Sequence, residues 1–549
     1  MLADLLNNLM NDTVGKGLPF FAAELTLSAT IVVMLLAKML KADRFAPSFL
    51  IALAGSGVAC WLSFGQFSGV FEEGSRVTIF FGGMLRQDLL SVYFRIFLSL
   101  FLILTIALTI LTGVPDNEDG QDFYTLLLSA TIGMMMMASA NNLLMVFLSV
   151  EMASVPSYVM VGFLKGRKTS SEAALKFVVY GAGAAGVMLY GISLLAGILG
   201  TTDLATLGTS LATLVSNDSI AGGDSAGMAS AEIRTIAFGI LLVLIGLAFK
   251  LSLVPFHFWC PDAFEGASAE VSGFLSVASK AGAFALLLRF MIGLSDSVHG
   301  SDLMTAFGLG LGVIAAITAT VGNLTAYAQT NLKRLLAYST IAHAGYLLMA
   351  VSAVVVMLNT SNTTVAWKDI HYGIGAVLYY LAVYLFMNFG AFAIVALVRN
   401  QTFDESVDGI KGLYAVQPIL AIAMSLCVVS LIGIPPMGGF LAKLTVFGAV
   451  YQACSIHWLM YVVLAAGGIN TVFSLFYYVR ILKAMFMQER DQDAPEIHMQ
   501  SVDVIYAVVV SSMVVVLGVW PSIVQNFIAI ANEAGVTSLL ILTLSLIHI

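Results

Sequence analysis

The stretch Leu247-Ala-Phe-Lys-Leu-Ser-Leu-Val-Pro-Phe-His-Phe-Trp-Cys-Pro-Asp-Ala-Phe-Glu-Gly-Ala267 decides how the chain is read. An apolar helix carries Lys250 in its middle. Pro255 and Pro261 break it, and His257 sits between the two prolines. A charge and a helix break are each costly at membrane depth. Their coincidence points to an ion pathway through a discontinuous helix rather than to a simple anchor.

The composition around this stretch sets the class. Of 549 residues, 59% are hydrophobic and 10% charged, with a mean hydropathy of +0.96. Soluble domains carry about 25% charged residues. The chain is therefore read as one polytopic membrane domain, residues 1–549. The longest polar insert, Thr201–Arg234, is rich in Gly, Ser, Thr and Ala and reads as a loop. The formal net charge of -8 names no partner, and no basic tract fits nucleic acid. Cys60, Cys260, Cys427 and Cys454 stand apart without a CxxC pair, which argues against iron–sulfur, haem c or zinc sites. No His/Cys/carboxylate cluster has metal-ligand spacing. Neither a GxGxxG after a strand nor a Walker loop is present, so no nucleotide site is visible. The first apolar run is too long for a signal sequence and reads as the first span. Residues 536–549 are a doubtful tail, because Leu544-Ser-Leu-Ile-His-Ile549 reads like a translated sequencing adapter.

A helix needs about 20 apolar residues to span a bilayer. The expected spans are Leu18–Leu40, Ser48–Phe67, Leu89–Gly113, Phe123–Ala140, Asn142–Leu164, Ser171–Leu199 and Ile233–Phe256. The rest are Ala263–Ile292, Leu303–Leu324, Leu335–Met357, Ile370–Val398, a broken Ala415–Val450, Leu459–Met487 and Val502–Ile530. That makes about fourteen transmembrane helices and an all-α polytopic fold. One set of alternate loops holds most of the Lys and Arg: Lys38, Lys41 and Arg44; Lys165, Arg167 and Lys168; Lys333 and Arg334; Arg399 and Lys411; Arg480, Lys483 and Arg490. These loops are expected to be cytoplasmic, which puts both termini outside.

Two helices are broken in similar surroundings. Lys250 precedes Pro255, and Lys443 follows Ile434-Pro-Pro-Met-Gly-Gly439. Their separation by five spans implies a five-helix unit used twice, at about 123–292 and 303–487. An odd helix count inverts the second copy in the membrane.

Six basic residues fall inside spans: Arg95, Lys176, Lys250, Lys280, Arg289 and Lys443. Arg95 and Arg289 are placed where they can snorkel. Glu151 is the main intramembrane acid, and Glu24 a weaker second. A buried lysine with a movable acid partner can take up and release a proton near neutral pH. Lys176 is expected to pair with Glu151 and to gate Lys250. Fixed structural ion pairs would leave most of these lysines without a partner. His257 and His343 read equally as proton relays and as histidines hydrogen-bonded between helices. Asp262 and Glu265 read as loop charges capping the next helix.

With these residues in view, the chain resembles the antiporter-like membrane subunits of bacterial NADH–quinone oxidoreductase (respiratory complex I), a family shared with Mrp cation/proton antiporter subunits. The stretches that carry the resemblance are Glu151-Met-Ala-Ser-Val-Pro-Ser-Tyr158, Glu172-Ala-Ala-Leu-Lys-Phe177, Phe249–His257 with Pro261-Asp-Ala-Phe-Glu-Gly266, Lys333-Arg-Leu-Leu-Ala-Tyr-Ser339 with His343, and Gly433–Leu441. The resemblance implies that Glu151, Lys176, Lys250, Lys280 and Lys443 are the family's proton-transfer residues. It implies two inverted five-helix repeats. It also implies a proton channel driven by quinone chemistry elsewhere, in a chain that holds no cofactor, while the whole complex uses NADH and quinone. Partners would be antiporter-like subunit M, the small membrane subunits and the lipid bilayer of a bacterial inner membrane. Subunit M carries glutamate at the position of Lys443, so this chain is not expected to be M. The Gly-Ala-Ser-Ala-Glu270 run departs from the family, which commonly has proline where Glu270 stands. An Mrp-type Na⁺/H⁺ antiporter subunit is the alternative reading, and a purely structural scaffold the third.

Overall fold

The computed structural model describes residues 10–41, 47–72, 77–115, 119–164, 166–220, 224–295, 302–360, 367–490, 495, 497–520 and 522–530. The tail at 536–549 lies outside the described residues. Helices dominate, because in lipid every backbone polar group must find its partner inside the chain.

The helices that organise the molecule are α1 (Ala22–Met39), α2 (Ser48–Glu72), α3 (Leu89–Thr112), α4 (Gly120–Ser139), α5 (Leu143–Val161), α6 (Lys168–Leu199) and α7 (Leu204–Ile220). They continue with α8 (Asp224–Leu251), α9 (Trp259–Gly266), α10 (Ala269–Ser295), α11 (Asp302–Ala326), α12 (Leu332–Leu358) and α13 (Trp367–Thr402). The last are α14 (Pro418–Ile432), α15 (Gly438–Ala453), α16 (Leu459–Met487) and α17 (Ser501–Val519). Thirteen of the described helices are long and apolar enough to cross a membrane. The pair α14 and α15, too short singly, makes the remaining crossing, so the expected fourteen stand.

A short hairpin, Thr78–Phe80 with Leu85–Gln87, marks one face of the molecule. Bridges from Leu85 to Ala140 and from Asn142 to Asp203 gather the α4–α5 and α6–α7 junctions there. On the other face Asn400 donates to the Thr112 carbonyl at 2.6 Å, and Asn331 bridges to Ser406. This second face holds Lys333, Arg334, Arg399 and Lys411, so the basic loops do lie together. Successive crossings alternate in direction. The two broken helices, seventh and twelfth, therefore run in opposite directions.

Three helices form the centre. The spanning windows of α10 and α12 are 100% buried and that of α13 is 94% buried, against 28% for α1. An all-round apolar helix belongs in the middle of such an assembly, and the file of charged residues is threaded between these three.

Three expectations need correction. The insert Thr201–Arg234 is mostly helical where described, in α7 and the start of α8, and is not a loop. Leu204, Leu207 and Leu211, spaced by three and four, bury one face of α7 against α8 and α10. Its small polar residues hid that stripe. Arg95 does not snorkel. It is fully buried and donates to Glu24 at 2.6 Å, so both charges are spent on tying α3 to α1. Arg289 does not snorkel either.

Arg289 crosses from α10 to Asp88, the N-cap of α3, at 2.8 Å. Arg86 shares the same carboxylate at 2.9 Å. Burial alone would raise the Asp88 carboxyl, but Arg289 and then Arg86 hold it well below the usual carboxylate range. Its ionised form therefore stabilises the fold at every pH above the unfolded value near ~3.9 and weakens only below it. Asp88→Asn leaves Arg289 without its counter-charge. We expect a loss of about 3–5 kcal/mol, read as a lower melting temperature of the purified assembly at neutral pH.

Candidate functional site

The site begins at the break between α8 and α9. Pro255 has no amide hydrogen to continue the helix, and Ser252 turns the chain with φ +57°. The freed backbone groups are taken up one by one. Leu253 N donates to Ala248 O at 2.9 Å. Val254 N donates to Thr318 Oγ1 at 3.1 Å. The Trp259 indole donates to Phe249 O at 2.8 Å. Lys280, from α10, donates to the Lys250 carbonyl at 3.1 Å and to the Ser252 hydroxyl. An ammonium at the carbonyl end of a helix is favoured by the helix dipole. Lys280 also sits 4.9 Å over the Trp259 ring.

The second break is built with a different lysine. Helix α14 ends at Ile432, and Gly433 adopts φ +88°. Lys443, two turns into α15, reaches back to the Ile432 carbonyl at 2.9 Å. Gly439 lets the half-helices close, because a Cβ there would lie 1.9 Å from the Ser430 carbonyl oxygen. Its amide donates to Ser430 Oγ at 3.0 Å. Lys443 Nζ lies 4.7 Å over the Tyr346 ring. Thus a lysine from the next helix stoppers the first break, and a lysine of the broken helix itself stoppers the second.

Between the breaks lies a series of buried polar groups. Glu151 on α5 interacts electrostatically with Lys250, and Lys250 with Lys280. Cys260 of α9 and Tyr384 of α13 are buried as well, and the Tyr384 hydroxyl has no hydrogen-bond partner among the described residues. The Tyr384 ring lies 5.3 Å from the His343 ring. His343 Nδ1 is 2.7 Å from the Tyr380 hydroxyl, and Nε2 is 3.4 Å from the Tyr478 hydroxyl. His343 and Lys443 interact in turn. Lys250, Lys280, His343 and Lys443 are all buried, and the three lysines make no ion pair among the described residues. Hydroxyl and imidazole groups can both accept and donate protons.

Two expected members stand apart. Lys176 does not pair with Glu151. It pairs with Asp262 at 2.9 Å and with Glu172 at 2.8 Å, and its side chain is 41% exposed. Asp262 and Glu265 lie on α9, not in a loop capping the next helix. They are bound by Arg334 at 2.8 and 2.6 Å. Asp262 is thus the shared carboxylate joining α6, α9 and α12. His257 lies on the turn with its ring 4.3 Å from Phe258, and its buried Nδ1 has no hydrogen-bond partner. No side-chain hydrogen bond joins its ring to the file among the described residues.

Sequence reasoning did not find Tyr380, Tyr384 and Tyr478, because tyrosine in an apolar helix reads as packing. The only signal was their shared direction: Tyr380 and Tyr384 are four apart on α13 and face His343. Among the described residues no group of three or more His, Cys, Asp or Glu could hold a metal ion.

Two discontinuous helices running in opposite directions, with buried lysines at both breaks and a polar file between them, define an ion-translocating membrane subunit. The chain belongs to the family described as NADH:quinone oxidoreductase/Mrp antiporter, TM, which it matches over residues 140–474. It is 39% identical over 452 residues to the protein from Anaeromyxobacter sp. (strain Fw109-5) named NADH-quinone oxidoreductase subunit N, covering 80% of this chain and 83% of that one. The protein of the same name from Chlorobium chlorochromatii (strain CaD3) is 37% identical over 492 residues, covering 88% of each. Among solved structures, a chain of respiratory complex I from Thermus thermophilus is 27% identical, with TM-score 0.69, over 91% of this chain and 98% of that one. A chain of the Mrp complex from Dietzia sp. DQ12-45-1b shares the fold, with TM-score 0.77 at 18% identity, over 95% of this chain and 97% of that one.

Proposed function

We propose that the chain is the N subunit of a bacterial NADH–quinone oxidoreductase and moves protons from the Lys/Arg-rich face, which is cytoplasmic, to the hairpin face. It sits in the inner membrane with both termini outside, beside antiporter-like subunit M and the small membrane subunits. NADH and quinone react in other subunits, and this chain carries no redox group of its own. Residues 123–292 and 303–487 act as the two inverted units, each with one break. Protons reach Lys250 under the influence of Glu151, pass by Lys280 and the Tyr384–His343 cluster, and leave at Lys443. Lys176 gates Lys250 by changing partners, and His257 serves as a side relay at the break. The carrying observation is that Lys250, Lys280, His343 and Lys443 are buried among the central helices, with Lys280 on the first break and Lys443 on the second.

The cation is tested directly. The assembled complex in proteoliposomes, given NADH and a quinone, should build the same pH gradient when Na⁺ is replaced by K⁺. A gradient that requires Na⁺ would instead favour the Na⁺/H⁺ antiporter reading.

A further inference from the structure

Glu270 is a buried acid that the file above does not use. It stands in the first turn of α10 and is fully buried, and neither carboxylate oxygen has a hydrogen-bond partner. Buried carboxylates are ordinarily paired or hydrogen-bonded, so such an orphan calls for an explanation. A charged cluster built on Lys333 lies beside it. Lys333, at the start of α12, interacts with it electrostatically. Lys333 Nζ is itself 2.8 Å from Glu405 and 2.6 Å from the Ala267 carbonyl. Arg399, at the end of α13, is 3.5 Å from the other oxygen of Glu405. Glu405 is the most exposed of these, with 17% of its side chain exposed against 10% for Arg399. Two cations and two carboxylates make the cluster neutral when Glu270 is ionised. An uptake of one proton by Glu270 leaves it with a net positive charge.

Further polar groups lie along α10 inward from Glu270. Ser276 is six residues on, a rise of about 9 Å. Asn388 of α13 donates to Ser276 Oγ at 2.7 Å, while Asn388 Oδ1 has no partner. Lys280 is one turn beyond Ser276, on the same helix face. Glu270 and Asn388 thus each keep a buried oxygen without a partner, and such groups commonly bind ordered water. We propose that Glu270 is a proton-carrying carboxyl on an entry branch that runs from Glu405 and Lys333 through Ser276–Asn388 to Lys280. This rests on the proton-translocation reading above. The proton arrives on a Glu270 oxygen from solvent through the cluster. It leaves along bridging water to neutral Lys280, which becomes ammonium as Glu270 returns to carboxylate.

The test uses the assembled complex in proteoliposomes, with E270Q, E270D and Lys250→Ala compared with the native protein at equal amounts of complex. E270Q keeps the size and loses the exchangeable proton. It should lower the rate of NADH-driven proton pumping roughly tenfold or more, while E270D stays near native. A structural acid would alter the yield of complex and leave the pumping rate of the assembled complex unchanged. If E270Q pumps normally while Lys250→Ala does not, the entry branch is wrong and the central file stands. If Lys250→Ala also pumps normally, the file itself is wrong. If the complex assembles with Asp but not with Gln at this position, Glu270 holds the Lys333 cluster together and the proposal falls.

Discussion

Replacing Lys250 by alanine is expected to abolish coupled proton pumping without preventing assembly. Lys250 is 2% exposed and stands on the last turn of α8. Glu151 acts on it from one side and Lys280 from the other. Its backbone carbonyl, not its side chain, receives Lys280, so the break keeps its capping group when the side chain is removed. Deleting a buried charge that has no ion-pair partner also relieves a desolvation cost instead of exposing a new one. Stability is therefore expected to hold while NADH-driven pumping drops by roughly tenfold or more. Lys250→Arg separates charge from proton exchange, because guanidinium does not give up its proton in proteins. That variant should fail as the alanine variant does. The measurement is quenching of a pH-sensitive dye in inverted vesicles, taken with NADH oxidation. Native pumping and native quinone reduction in Lys250→Ala would rule out the route through this residue.

Much of this arrangement was legible before any coordinates. Lipid forces each long apolar run into a helix, so the fourteen crossings followed from run lengths. Pro255 and Pro435–Pro436 announced both breaks, and lysines in apolar sequence pointed to the buried charges at them. Pairings were harder, because a charge in a sequence does not name its counter-charge. Arg289 and Asp88 are 201 residues apart, and Lys176 and Asp262 are 86 apart. Choosing Glu151 for Lys176 rested on adjacent helices, yet α9 packs on α6 and brings Asp262 to it. The insert at Thr201–Arg234 misled for another reason. Its buried leucines are few, and the intervening polar residues satisfy each other locally. Thr201 and Thr206, for example, share a hydrogen bond at 2.7 Å.

The second large effect is expected at Asp262. Its two oxygens serve different helices: one binds Lys176 of α6 and the other Arg334 of α12. Asp262→Asn loosens both at once, whereas Arg334 keeps Glu265 and Lys176 keeps Glu172. Both surviving pairs are partly exposed, so the fold should tolerate the change, as partly solvated pairs contribute little to stability. Function should not. With Lys176 on Asp262, its charge is held away from Glu151, and Glu151 is left to act on Lys250. Releasing Lys176 lets it compete for Glu151, which removes the carboxylate's influence from Lys250. A switch biased by such contacts commonly shifts by fivefold or more. We expect pumping per NADH to fall by roughly that factor in Asp262→Asn and to recover in Asp262→Glu. The double variant Asp262→Asn with Lys176→Gln decides the cause. If Asp262 acts by holding Lys176, the double variant should match Lys176→Gln alone, the non-additivity expected of partners in one interaction. If the two losses multiply instead, Asp262 acts through Arg334, and the exchange of partners by Lys176 is not the gate.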